Sequence, residues 1–285
     1  SGSGVNDGCW VSGSRVSGNS LTAVSGTYEG PLKRGFRQFT APFYGGFDGL
    51  DIFQKEPFAN EVLTGGSPQT NYAFNSVKRA IDSVADPEVA EVNLAAMPGI
   101  TNASLTGHLL STCERRADAL AIIDLEDDYV PNTENTEKES LRLPSVRNAV
   151  QSLKDRRINS SYGCTYFPWV QMRDTISDAM LWIPPSVVAL GTMASSQRKT
   201  EVWFAPAGFN RGGLTEGSAG VPVTQVRYKL TSKERDALYE ANINPIASFP
   251  SEGIVMFGQK TLQVTPSALD RINVRRLMIY LKRLM

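Results

Sequence analysis

The sequence predicts an α/β protein: a mostly parallel or mixed central sheet flanked by helices, preceded by a small β-rich N-terminal region. Three observations carry that expectation. From about residue 70, helical periodicity alternates with short apolar runs. One of these, Ala119-Leu120-Ala121-Ile122-Ile123-Asp124-Leu125, has the unbroken apolar character of a strand covered on both faces. The first 60 residues are instead rich in Gly, Ser and Thr, with brief hydrophobic runs between turn residues. Residues 1–60 are therefore expected as the β-rich region and residues 61–285 as the α/β domain.

Each element follows from local pattern. Phe74, Val77, Ile81 and Val84 recur at helical spacing with Lys78, Arg79 and Asp82 between them, which predicts an amphipathic helix over residues 72–84. Residues 92–97 read as a short strand stopped by Pro98-Gly99, and Thr101 or Asn102 as the cap of a helix running to about Arg116. The strand at 119–125 is expected to be central and buried. A polar loop over 126–143 leads to Pro144 and a helix near 145–157.

Residues 163–169 are expected as a strand, and Ile183-Pro184-Pro185-Ser186 opens a helix, proline being tolerated in a first turn. Residues 202–205 are expected as a strand before a glycine-rich loop at 208–213. Thr231-Ser232-Lys233-Glu234 has capping-box spacing and predicts a helix ending near Asn242. A strand is expected at 254–257. Thr265-Pro266 then starts a long last helix, with Val274, Leu277, Met278, Leu281 and Leu284 as its apolar stripe. Strands alternating with helices imply βαβ crossovers and a sheet covered on both faces.

Composition narrows the function classes. The 285 residues carry 29 Lys plus Arg and 29 Asp plus Glu, a formal net charge of 0. A dedicated binder of nucleic acid or of anionic membranes would carry a basic excess, so neither partner is expected. Hydrophobic residues make up 41% and no run approaches the roughly 18 apolar residues of a spanning helix, so membrane insertion is not expected either. The opening Ser1-Gly2-Ser3-Gly4-Val5-Asn6-Asp7 lacks the basic and apolar segments of a signal peptide. Cys9, Cys113 and Cys164 are odd in number and lack CxxC spacing, which fits reduced thiols better than a disulfide framework or a metal site.

Chemical motifs are sparse. Asp124, Glu126, Asp127 and Asp128 follow the carboxyl end of the buried strand, where open α/β sheets place ligands, and such a cluster can hold magnesium. A metal-dependent α/β enzyme using Asp124, Glu126 and Asp128 is therefore the competing reading; a solvated acidic turn is the structural one. Gly208-Phe209-Asn210-Arg211-Gly212-Gly213 invites a small-ligand loop but lacks both the GxxxxGK[ST] and GxGxxG patterns, and no GxSxG elbow occurs. His108 is the single histidine and has no nucleophile at recognisable spacing. No catalytic residue, cofactor or metal site is expected. Basic clusters at Lys33-Arg34 with Arg37, at Arg275-Arg276 and at Lys282-Arg283 read either as solvated helix surface or as a charged contact for another subunit.

Five segments together resemble the tail sheath proteins of contractile bacteriophages, a family related to R-type bacteriocin and type VI secretion sheaths. They are Pro42-Phe43-Tyr44-Gly45-Gly46-Phe47-Asp48-Gly49, Trp182-Ile183-Pro184-Pro185-Ser186, Trp203-Phe204-Ala205-Pro206-Ala207-Gly208-Phe209-Asn210-Arg211-Gly212, Tyr239-Glu240-Ala241-Asn242-Ile243-Asn244-Pro245-Ile246, and Ile272-Asn273-Val274-Arg275-Arg276-Leu277-Met278-Ile279-Tyr280-Leu281-Lys282-Arg283.

The resemblance implies a structural subunit that polymerises around the tail tube and contracts to drive it through the host envelope during genome delivery. Its implied partners are other copies of itself, the tail tube protein, and baseplate and tail terminator proteins. Its implied location is the virion tail, with the host cytoplasm during assembly. Residues 1–60 would then be the end of an inserted outer domain and residues 61–285 the sheath core. The family also carries a further C-terminal domain and extended arms, so this chain is expected to be a protease-resistant type of core, mainly monomeric. Arg275, Arg276, Lys282 and Arg283 are the candidate subunit interface.

Overall fold

Asn71 turns its side-chain oxygen onto the N–H of Phe74, 3.0 Å away, and so starts the helix α1, Tyr72–Ser83. The structure is a computed structural model that describes residues 63, 71–125, 145–174, 178 and 180–285, of Tyr72 the backbone only. Contacts divide the chain at Asp51, and the second unit, Ile52–Met285, contains all the described residues. The expected β-rich region, the Gly45-Gly46-Phe47-Asp48-Gly49 segment and the acidic residues Glu126, Asp127 and Asp128 lie outside the described residues.

After α1 the order is β1 (Leu94–Ala96), α2 (Ala103–Arg116), β2 (Leu120–Ile123), α3 (Val146–Asp155), β3 (Gly163–Phe167), β4 (Val170–Arg173) and β5 (Met180–Ile183). Then come α4 (Pro185–Lys199), β6 (Val223–Val226), α5 (Ser232–Glu240), β7 (Asn244–Phe249), β8 (Gly253–Met256), a 3₁₀ turn (Ala268–Asp270) and α6 (Ile272–Leu284). The main sheet has the order β1-β2-β3-β7-β8, parallel except for the antiparallel β7–β8 pair. A second, antiparallel sheet has the order β5-β4-β6. The α/β expectation therefore holds, as a mixed sheet.

The strand expected at 119–125 is β2, hydrogen-bonded on both sides and buried along its length. Its alternation divides the core. Ala121 and Ile123 face a cluster with Leu105, Leu109 and Cys113 of α2, Leu153 of α3 and Leu238 of α5. Leu120 and Ile122 face the other side with Val188 and Met193 of α4 and Ile272 and Ile279 of α6. Helices thus cover both faces, and a strand sandwiched in this way has no polar side to show.

The caps are those the sequence specifies. Asn102 accepts from the N–H groups of Ser104 and Leu105, Ser145 from Asn148, and Thr231 and Glu234 form the reciprocal capping box. The helix expected to open at Ile183-Pro184-Pro185-Ser186 does so, with Pro184 as its cap residue and Pro185 in its first turn. Three expectations need correction. Residues 202–205 are not a strand: the Phe204 N–H bonds back to Glu201 O at 3.1 Å, closing a turn, and Trp203 and Phe204 stand outside any sheet. The last helix starts at Ile272, seven residues after Thr265, because 268–270 wind as a 3₁₀ turn capped by Ser267. The strands β4, β5, β6 and β7 carry too little apolar alternation to announce themselves and were not expected as such.

Candidate subunit interface

The last helix is where sequence and structure part company. Ile272, Arg275, Arg276 and Ile279 recur at i, i+3, i+4 and i+7 and form its buried face. Val274 and Leu277 are half-buried, while Met278, Leu281 and Leu284 are exposed at 46%, 42% and 66%. The apolar stripe thus lies on the outer side, and the two arginines read as surface cations lie within.

Each of the four cations finds its surroundings inside the chain. Arg275 stacks its guanidinium 4.0 Å above the Tyr162 ring centre and donates to Ser161 Oγ. Arg276 donates to Gln197 Oε1 at 2.9 Å. Burial lowers the pKa of both arginines from the ordinary value. Lys282 is exposed along its stem, yet its Nζ donates to Arg116 O at 2.8 Å. Arg283 lies 3.8 Å from Glu91 and 3.9 Å from Asp118.

That last contact ties α6 to a second buried charge. Arg116, at the end of α2, forms a two-pronged pair with Asp118 at 2.8 and 3.0 Å and donates to the carbonyls of Val84 and, at 2.8 Å, Ala90. Burial pushes the Asp118 carboxyl up, but hydrogen bonds and charge from Arg116 outweigh it and hold the carboxyl below its ordinary value. One guanidinium therefore joins the end of α1, the loop before β1 and the lead into β2.

Asp124 lies at the carboxyl end of β2 as expected, but it is sealed in. Its oxygens accept from the N–H of Gly99 at 2.9 Å and from the N–H and Oγ of Ser186 at 3.1 and 2.7 Å. Burial pushes the carboxyl up to about 6 against those donors. The side chain fastens the turn after β1 to the start of α4. Among the described residues no three His, Cys, Asp or Glu are grouped to hold a metal.

The glycine-rich loop has a comparable structural task. Gly208 N–H donates to Met256 O at 2.8 Å, Met256 N–H to Gly212 O at 2.9 Å, and Leu214 N–H to Ile254 O at 2.8 Å. The loop thereby covers the outer edge of β8, an edge that would otherwise offer free backbone groups. A Cβ at Gly212 would come within 2.7 Å of Met256 O, which explains why glycine stands there. His108 Nε2 lies 2.6 Å from Asp82 Oδ1 and links α2 to α1. Cys113 and Cys164 are buried, and burial pushes the Cys113 thiol up to about 12, far from the reactive thiolate range.

What sequence reading missed is a surface of aromatic rings. Phe209, Phe249 and Phe257 stack on one another with centroids 5.2 to 6.0 Å apart, and Arg235 lies 5.3 Å from the Phe249 centroid. Phe209 and Phe257 remain 47% and 45% exposed. Trp203 leans on Tyr280 of α6 at 6.3 Å, and Arg211 caps Phe204 at 5.2 Å. Aromatic and arginine side chains are the types that dominate binding energy at protein interfaces. Their only signal in the sequence is the density of aromatics between Trp203 and Phe209. Asn244, in the segment that follows α5, plays an internal part: its amide bonds Thr165 O, Lys260 O and Lys260 N, pinning β7 to β3 and to the chain beyond β8.

The chain is similar to the tail sheath proteins of Enterobacteria phage T4 (29% identical over 230 residues, 78% of this chain and 34% of that protein) and Vibrio phage KVP40 (28%, 77% and 34%). It is also similar to that of Salmonella phage ViI, 32% identical over 59% of this chain and 26% of that protein. It spans about a third of the length of the first two curated relatives. No family model matches the sequence. Two solved structures share the fold. One is the baseplate of the anti-feeding prophage (TM-score 0.52, 18% identity, 85% of this chain and 59% of that one). The other is the sheath complex in the contracted state of an extracellular contractile injection system (TM-score 0.50, 18%, 86% and 72%).

Proposed function

We propose that this chain, similar to the tail sheath proteins of three phages, is a structural part of a phage tail sheath subunit. In that role it polymerises around the tail tube and contracts to drive the tube through the host envelope during genome delivery. Its partners are further copies of the subunit, the tail tube protein, and baseplate and tail terminator proteins. Its place is the virion tail, after assembly in the host cytoplasm. It performs no catalytic step.

The observation that carries this reading is where the conspicuous side chains lie. The groups that resemble a reaction centre, Asp124 and the Gly208–Gly212 turn, serve internal contacts. Large apolar and aromatic side chains stand outside instead: Trp203, Phe204, Phe209, Phe257, Met278, Leu281 and Leu284. Exposed apolar surface of this extent marks a contact face. Two-sided helical cover on a mixed sheet gives a body stiff enough to move as a unit when lattice contacts are exchanged.

Electron microscopy of the full-length protein tests the reading. Helical tubes that shorten and widen around an inner tube are expected. Phe209→Ala with Phe257→Ala in that protein should leave the subunit folded and reduce tube formation. A full-length protein that stays dispersed with its tube and baseplate partners present overturns the proposal.

A further inference from the structure

Arg276 is 3% exposed and its charge meets no carboxylate among the described residues. Its Nη2 donates to the neutral oxygen of Gln197, while Nη1 is buried with no acceptor in hydrogen-bond range. A guanidinium held this way is costly, because desolvation is not offset by an opposite charge.

The same arginine lines a cavity of about 40 Å³. Asn93, just before β1, and Gln197, on α4, contribute amide groups to its wall, and Arg283 enters from one side. Arg276 and Arg283 are seven residues apart on α6 and therefore on one face. The Nη2 of Arg283 is also buried without a hydrogen-bond acceptor, its carboxylate neighbour Asp118 being 3.9 Å off. Among the described residues no acidic one lines the cavity. A single water needs only roughly 10–15 Å³ measured in this way. The space accepts something larger, and both charged groups among its described lining residues are positive.

We propose that this cavity is a binding site for a small inorganic anion of the halide class, held between Arg276 and Arg283. The bound anion supplies the missing charge and ties α6 to α4 and to the residue that leads into β1. Neither the relatives nor the sheath reading assigns such a site, and its existence does not depend on that reading.

Chloride is the probe. The chain is melted at constant ionic strength while chloride replaces gluconate, and ³⁵Cl line widths are recorded alongside. A saturable rise of roughly 5 °C with chloride is expected, together with a broadened ³⁵Cl line. Arg276→Met keeps the aliphatic bulk and removes the charge, so it should melt at least as high as the parent in gluconate. It should also lose the chloride response and narrow the line. Arg283→Gln provides a second variant that keeps Arg276 in place and should weaken the half-saturating chloride concentration severalfold. Equal melting in both salts, as water alone in the cavity would give, overturns the proposal. So does line broadening that survives Arg276→Met.

Discussion

The guanidinium of Arg275 lies 4.0 Å over the ring of Tyr162 and bonds the hydroxyl of Ser161. Tyr162 and Ser161 lead into β3, so the contact fixes which side of α6 looks inward. With Ile272 and Ile279 on the same face, the aliphatic stems of Arg275 and Arg276 complete an apolar seam while their heads reach polar groups. Turned this way, the helix shows Met278, Leu281 and Leu284 to the outside.

Charge reversal along α6 should therefore give two kinds of variant. Arg275→Glu places an acid over an aromatic face and strands it in the interior, and is expected to cost about 3–5 kcal/mol in urea unfolding. Lys282→Glu, at an exposed position, should stay within about 1 kcal/mol of the parent. Similar stability of the two variants would contradict the orientation of the helix.

Arg116→Ala should be among the most damaging single changes. It leaves Asp118 buried with only the distant Arg283 and frees the carbonyls of Val84 and Ala90. A loss of about 3–5 kcal/mol is expected from breaking such a pair. Hydrogen exchange should show the end of α1 and the loop before β1 opening first. Uniform protection across that region would argue against the clamp.

Asp124 gives a pH dependence with a definite sign. Its carboxyl is raised from 3.8 to about 6 in the fold, so the folded state holds the proton more tightly than the unfolded chain. The stability linked to that proton is complete below the ordinary value and is lost as pH rises through about 6. Relative to Asp124→Asn, the parent should lose about 3 kcal/mol between pH 3 and pH 7, two units or so of shift at roughly 1.4 kcal/mol each. Parallel stability curves for the two proteins across that range would sink the assignment.

Gly191→Ala tests how closely α4 approaches the loop before β6. A Cβ there would stand 2.0 Å from the backbone oxygen of Ala219, so helix and loop must separate. Alanine gains up to about 1 kcal/mol in helix propensity, and overpacking costs about 1–3 kcal/mol. A net loss of stability is expected. A gain would show that the loop yields freely.

Much of the chain was legible because its signals are local. Asn102 and Thr231 each cap the helix their spacing announces, since a cap needs only the next three residues. The buried strand β2 declared itself by being apolar on both faces. The short strands β4, β5 and β6 did not, because they take their form from one another: Val170 pairs with both Ile183 and Val226. Residues 202–205 failed in the opposite direction. Their aromatic content resembles a strand, but their rings pack on Tyr280 and Arg211 instead of on neighbours in a sheet.

The sequence by itself determined the fold class and the capped helices, because periodicity and caps are properties of neighbouring residues. Only the tertiary structure decided which side of α6 is buried, that Asp124 is a sealed tether, and that Arg276 meets no opposite charge among the described residues. The physical reason is that a long side chain has no fixed environment of its own. An arginine is a surface cation or a buried donor according to what distant segments bring to it, here Tyr162 for Arg275 and Gln197 for Arg276.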